Sequence, residues 1–337
     1  MPSFLHRRPL LAALPLTMIA TAALAEGPLV KVEKRTFTTK GFKLESGGAT
    51  LPEMTIAYET YGSLAPDGSN AVLLTHGYTS SQHMAGRYGE NGAEGSWDGL
   101  VGPGKAIDTD RLFVVSSNML GSSYGSTNPA FINPATGKPY GPDFPDITLV
   151  DIVNAQKALL DHLGVKHLVA VAGPSFGGYQ TYQWGVTYPD FMDGLVAVVS
   201  APKGSGGEAA VKSLIDQLAK DFPDKAAREA EIKKRAETWS KVFDGNSLVA
   251  LRKASVRFDT EKDMPKIKAK VLYVLSRTDK LFPPSIAPDV MAKLKAAGVS
   301  ADYFEIDSDF GHSASGLDAA KWAPRLRTFM AALEKRS

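Results

Sequence analysis

Val171-Ala172-Gly173-Pro174-Ser175-Phe176-Gly177-Gly178 is the stretch on which the fold turns. An unbroken apolar run, residues 168–172, leads into it, and a segment of helical character follows. A serine held between glycines at such a junction has the pattern G-x-S-x-G. A strand turns sharply into a helix there and lifts the serine hydroxyl above the sheet. Glycine on both flanks relieves crowding around a strained residue, and the N-terminus of the following helix favours an anion formed beside it. Ser175 is therefore the candidate nucleophile. Pro174 is unusual just before it, but its fixed φ is compatible with the turn.

The surrounding chain repeats the same rhythm. Short continuous apolar runs bounded by turn residues occur at 71–75, 112–116, 168–172, 195–200, 271–276 and 301–306, as expected of strands buried on both faces of a parallel sheet. Helical patterns lie between several of them. Residues 151–163 put Ile152, Ala155, Leu159 and Leu163 on one face and stop at Gly164, and 321–333 reads as a closing helix. Residues 31–61 read as leading strands. Alternating β and α units predict a doubly wound, mostly parallel sheet. Two Gly-, Ser-, Asn- and Pro-rich stretches, 77–110 and 121–147, break the rhythm, and long loops of this kind are usually functional. Residues 202–268 interrupt the sheet with charged, helix-forming sequence. They are expected to form a short helical cap above the carboxyl ends of the strands, where open α/β sheets bind ligands.

A serine hydroxyl needs a base to take its proton, and around a nucleophile of this kind the acid and then the base follow in chain order. Of the six histidines, only His312 comes after Ser175, and it lies just beyond the 301–306 run. Asp279 lies just beyond the 271–276 run. His312 is the candidate general base and Asp279 the residue that fixes its tautomer. Asp307 and Asp309 are too close to His312 in sequence to come from a different strand end. His162 and His167 flank a helix end, and His83 sits in a loop before the serine. A tetrahedral oxyanion needs two donors. The backbone N–H of Phe176 is the first candidate and that of Tyr78, after the 71–75 run, the second. His76 is expected to organise that loop. The histidines form no H-x-H or H-x-x-x-H cluster, so no metal is expected, and no cofactor motif is present: Gly102-Pro103-Gly104-Lys105 lacks the ending of a phosphate-binding loop.

Taken together these residues resemble the homoserine O-acetyltransferase-like family of α/β-hydrolases. Tyr58-Glu59-Thr60-Tyr61-Gly62, Gly102-Pro103-Gly104-Lys105-Ala106-Ile107-Asp108-Thr109, Asn118-Met119-Leu120-Gly121, Tyr124-Gly125-Ser126-Thr127 and the stretch from Thr136 to Pro145 are similar to its signature blocks. The likeness is strong over about 50–200 and weaker over 265–315. It implies the α/β-hydrolase fold, maps the family's nucleophile, acid and base onto Ser175, Asp279 and His312, and implies that the two long loops wall the active site. The departures are specific. Ser313 stands where the family has the aspartate that receives the substrate amino group. Ala201-Pro202-Lys203-Gly204 stands where an arginine is expected. The cap is short, and the elbow reads Gly-Pro-Ser-Phe rather than Gly-Gly-Ser-Met.

At 44% hydrophobic and 22% charged residues the composition is that of a globular protein, and the absence of cysteine excludes a disulfide scaffold or a thiol nucleophile. The first 25 residues read as a signal peptide: His6-Arg7-Arg8, an apolar run over 9–22, and Ala23-Leu24-Ala25 before Glu26. Residues 26–337 then form one domain, exported to the periplasm or secreted, with no membrane span. They carry 36 basic and 36 acidic side chains, well mixed along the chain, which argues against nucleic acid as a partner. The expected partner is a small-molecule ester or acyl substrate, and a homodimer is compatible with the sequence. Loss of the groups that hold a zwitterion, together with export away from acyl-CoA, favours a carboxylic ester hydrolase working through an acyl-Ser175 intermediate. The alternatives are an O-acyltransferase and a non-catalytic binding protein on the same fold.

Overall fold

The computed structural model describes residues 32–89, 91–204 and 208–334; the expected signal peptide lies outside them. Eight strands form the central sheet: β1 (Arg35–Lys43), β2 (Thr50–Tyr61), β3 (Ala71–Thr75), β4 (Phe113–Ser117), β5 (Leu168–Pro174), β6 (Met192–Val198), β7 (Lys270–Ser276) and β8 (Ala301–Ile306). Their order across the sheet is β1-β2-β4-β3-β5-β6-β7-β8. The β1–β2 and β2–β4 pairs are antiparallel and every later pair is parallel. This is the α/β-hydrolase fold. The chain moves from β3 to β4 on one side and later to β5 on the other, so the crevice where the order reverses opens at the carboxyl ends of β3 and β5.

The helices cover both faces because β3 and β4 are buried throughout and β5 to β7 nearly so. Successive residues of a strand point to opposite faces. Leu73, Val115, Val171 and Tyr273 therefore meet α1 (Leu149–His162), α2 (Phe176–Thr187) and later α6 (Ala287–Ala296), while Leu74, Val114, Ala172 and Val274 meet α7 (Ala319–Glu334). Helix α1 begins in a capping box, Thr148 with Asp151, and stops at Gly164, whose φ of 82° few other residues adopt.

The cap consists of α3 (Glu208–Asp221), α4 (Lys225–Ser240) and α5 (Gly245–Arg257). Among the described residues α5 buries Leu251 and Ala254 and α3 buries Leu218, whereas α4 buries nothing. Two expectations change. Residues 301–306 were expected to be covered on both faces, but β8 is the edge of the sheet and only Ile306 is buried in it. The run expected to end at 200 leaves the sheet after Val198, because Val199 turns to a φ of 43°. That turn brings Ser200 beneath the elbow, where its hydroxyl donates to Ser175 O at 2.8 Å.

Candidate active site

Ser175 sits between β5 and α2 at φ 57° and ψ −121°, a conformation that costs a non-glycine residue of the order of 1–3 kcal/mol. The close approach of β3 explains the flanking glycines. A Cβ on Gly173 would lie 2.1 Å from Thr75 Oγ1, and one on Gly177 would lie 2.4 Å from Thr75 O. Thr75 Oγ1 occupies that space and donates to Gly177 O at 2.9 Å, which clamps the elbow to the strand that carries the next loop.

His312 and Asp279 arrive from the ends of β8 and β7. His312 Nε2 is 2.8 Å from Ser175 Oγ, and Nδ1 is 2.9 Å from Asp279 Oδ2. The Asp279 carboxylate is buried, and its other oxygen accepts from Leu281 N at 2.8 Å and Phe282 N at 3.3 Å. The Phe282 ring stacks on the imidazole, and Gly311 N donates to Thr278 Oγ1 at 3.1 Å, which ties the histidine loop to the aspartate loop. The three residues chosen from the sequence thus form one hydrogen-bonded line. The other candidates are engaged elsewhere. Asp307 and Asp309 pair with Arg277, His167 pairs with Asp193, and His162 packs on Phe37.

The two expected oxyanion donors lie beside this line. Phe176 opens α2, so its N–H has no partner within the helix. Gly77 packs so closely on the elbow that a Cβ there would be 3.7 Å from Ser175 Cβ, and Tyr78 follows it. The Gly77–Tyr78 peptide is planar, so the direction of its carbonyl sets the direction of the Tyr78 N–H. That carbonyl accepts from Ser80 N at 3.1 Å and lies 2.8 Å from His76 Nδ1. His76 Nε2 is in turn 2.8 Å from Asn118 Oδ1. His76 organises the loop, as its position in the sequence suggested.

A cavity of about 480 Å³ opens over Ser175 and His312. Met84, Trp97, Leu281 and Leu317 contribute apolar wall, and Ser313 lies on its rim. Apart from His312, no ionisable acidic or basic side chain lines it among the described residues. The 77–110 loop walls the cavity as expected; the 121–147 loop does not. It supports the cap instead, with Ser123 Oγ accepting from Asp244 N at 3.0 Å and Tyr124 packing edge-on against Phe243. The cap reaches the site through Tyr78, whose hydroxyl donates to Leu248 O at 2.5 Å. Burial raises the pKa of that phenol, and the nearby Arg252 guanidinium opposes the rise. Arg252 went unnoticed in the sequence, which gave no counterpart for the expected arginine near 201–204. Arg252 belongs to α5, about fifty residues later, and only the folding of the cap brings it near Tyr78.

Among the described residues no group of three or more His, Asp or Glu side chains could hold a metal ion, and no helix is long and apolar enough to cross a membrane.

Comparison with known proteins agrees with this geometry. A family described as the alpha/beta hydrolase fold matches residues 70–231. A homoserine O-acetyltransferase of Haemophilus influenzae is 36% identical, over 88% of this chain and 97% of its own. One of Methanosphaerula palustris is 37% identical, over 83% of this chain and 69% of its own. Among solved structures, esterase E22 superposes with a TM-score of 0.79 at 30% identity, covering 89% of this chain and 100% of that one. A homoserine O-acetyltransferase from Bacillus anthracis has the same TM-score at 27% identity, covering 89% and 97%. With that similarity running through nearly the whole length of the Haemophilus protein, the chain is an acyl-transfer enzyme on the α/β-hydrolase fold and belongs to the homoserine O-acetyltransferase family.

Proposed function

We propose that the protein is a serine O-acyltransferase that carries an acyl group on Ser175 and passes it to the hydroxyl of a small alcohol. The observation that carries this reading is the line Ser175–His312–Asp279 beneath a cavity with apolar walls. Ser175 Oγ attacks the acyl carbonyl while His312 Nε2 takes its proton. The N–H groups of Tyr78 and Phe176 hold the oxyanion. The tetrahedral adduct collapses, and the leaving group departs with the proton from His312. In the second half the acceptor hydroxyl gives its proton to His312 and attacks the acyl carbon, and collapse restores Ser175 with its proton. The relatives named homoserine O-acetyltransferases weigh toward transfer, and against the hydrolase that the sequence first suggested.

The acceptor differs from homoserine in this reading. An ammonium group needs a carboxylate, and Ser313 stands where one is expected, in a cavity lined by none among the described residues. The best acceptor is an alcohol without an ammonium group. Hydrolysis is the second reading, favoured by the same neutral rim and by the likeness to esterase E22. We further propose that the protein works outside the cytoplasm after cleavage behind Ala25. Export would make an ester the working donor rather than acyl-CoA.

The test is product partitioning by residues 26–337. With a short acyl ester at saturation, homoserine and uncharged alcohols are titrated separately, and acylated acceptor is weighed against free acid. Excess acylated uncharged alcohol is the expected result. Free acid at every acceptor concentration would establish the hydrolase, and mostly O-acyl-homoserine would refute the neutral acceptor. Ser175→Ala should abolish both products and fluorophosphonate labelling. N-terminal sequencing of the exported protein should begin at Glu26.

A further inference from the structure

A buried chain of side-chain amides runs from the interior of the molecule to the two segments that flank the nucleophile. Trp184 Nε1 donates to Gln156 Oε1 at 2.8 Å, and Gln156 Nε2 donates to Gln180 Oε1 at 2.6 Å. Gln180 Nε2 donates to His76 O at 3.1 Å and Phe176 O at 3.3 Å, and lies 3.0 Å from Met119 Sδ. Trp184, Gln156 and Gln180 are all fully buried. The polarity of the chain follows from its first member. An indole N–H can only donate, so Gln156 must present its oxygen to Trp184 and its NH2 group to Gln180. Gln180 must then present its oxygen to Gln156 and its NH2 group to the His76 carbonyl. The far end requires the same orientation, since both His76 O and Phe176 O can only accept.

We infer that Gln180 is a positioning residue for acyl transfer, which pins the oxyanion loop to the nucleophile elbow. His76 immediately precedes the Gly77–Tyr78 peptide, and Phe176 is itself the second donor. The two candidate oxyanion donors come from segments about a hundred residues apart in sequence, and one side-chain NH2 group bonds to the carbonyl beside each. Thr75 clamps the base of the same junction through Gly177 O. Gln180 fixes its upper part, where the spacing between the donors is decided. An oxyanion hole is useful only when its donors stand at hydrogen-bond distance from the position the oxyanion will take, and slack there is lost from the transition state and not from substrate binding. This role rests on the acyl-Ser175 chemistry proposed above.

The experiment compares the wild type with Gln180→Met, which keeps the volume and removes both donors. Gln180→Asn, too short to reach His76 O, serves as the second variant should the first fail to fold. Turnover of p-nitrophenyl acetate is normalised to active sites titrated with a fluorophosphonate, and butane-1-boronic acid is used as a probe that forms a tetrahedral adduct on a catalytic serine. The kcat should fall by about 10–100-fold, less than the roughly 10²–10³ that follows deletion of a donor. The inhibition constant of the boronic acid should rise in the same proportion while KM stays within about twofold, the mark of an interaction made only in the transition state. A purely structural role would lower the melting temperature and leave kcat and boronate affinity of the folded variant unchanged. That outcome overturns the assignment. A wild-type protein that neither turns over the ester nor is labelled at Ser175 would instead overturn the acyl-transfer reading, and the role of Gln180 with it.

Discussion

Replacing Asp279 by asparagine tests the triad more sharply than removing any of its members, because the structure dictates which way the new amide faces. Asp279 Oδ1 accepts from Leu281 N at 2.8 Å and Phe282 N at 3.3 Å, and Oδ2 is 2.9 Å from His312 Nδ1. An asparagine oxygen must stay on the two backbone donors. Turned the other way, its NH2 group would face two N–H groups in a buried site, and each unmade bond costs about 1–3 kcal/mol. The NH2 group therefore points at His312 and donates to Nδ1. The imidazole proton is then driven to Nε2, which faces Ser175 Oγ at 2.8 Å. A nitrogen that already carries a proton cannot take one from serine. The same change in a serine protease triad lowers kcat by about 10⁴, and a loss of that size is about 5 kcal/mol of transition-state stabilisation. Ester turnover and the rate of fluorophosphonate labelling should fall together, while KM and the circular dichroism spectrum remain as in the wild type. Activity within tenfold of the wild type would refute the reasoning: either the amide is not held as described, or Asp279 does not orient the base.

Three further outcomes are expected. Ser313→Asp should raise the share of O-acyl-homoserine about two- to tenfold by mass spectrometry, since position 313 is exposed and solvent screens the new contact; an unchanged share would show that this position does not read the ammonium group. Gly173→Ala should cost about 1–3 kcal/mol in urea unfolding and lower kcat, because its methyl group would meet Thr75 Oγ1 and O at 2.1 and 2.4 Å; a variant as stable and active as the wild type would contradict the packing at the elbow. In His83, burial opposes the charge, but hydrogen bonds to Glu59 and Ala93 and the charges of Glu59 and Asp98 outweigh it and raise the pKa. The stability this gives is fully present below the ordinary histidine value of about 6.5 and is lost as pH rises through the higher folded value. His83→Gln should flatten the pH dependence of unfolding in that window, and an unaltered slope would place the titration elsewhere.

The parts of the molecule that were legible in the sequence share a cause. The elbow, the order of serine, aspartate and histidine, and the strands before them are local patterns, since each depends on residue types a few positions apart. Gly173 and Gly177 were correctly tied to crowding, but the crowding comes from Thr75, which lies about a hundred residues earlier and meets them only in the fold. The same distance hid the amide chain. Gln180 in a helix of mixed composition looks like any helical glutamine, and nothing nearby in sequence announces the carbonyl of His76. The apolar run at 301–306 resembled a central strand because periodicity records the residues and not the neighbours; β8 has a strand on one side only. Val199 was read as strand for the same reason. A β-branched residue at φ 43° is a conformation that only the surrounding packing enforces.

The long reach of these contacts bears on how one fold serves both the relatives named homoserine O-acetyltransferases and the structural neighbour named an esterase. The chemistry up to the acyl-enzyme is identical for the two, and here it is built into the sheet: strand ends supply the nucleophile, base and acid, and the buried amides behind them secure the donors. In the reading proposed above, the acceptor is chosen by parts outside that frame. Ser313 lies on the exposed turn after the base, and Arg252 lies on α5 of the cap, joined to the site through Tyr78 and the Leu248 carbonyl. A bound, well-oriented hydroxyl gains so much from proximity that it outcompetes water whenever it occupies the site. In that reading the balance between transfer and hydrolysis is a matter of acceptor occupancy, set by a few rim and cap residues. Such residues can change without disturbing the triad, because none of them contributes to the hydrogen bonds that hold Ser175, His312 and Asp279 in line.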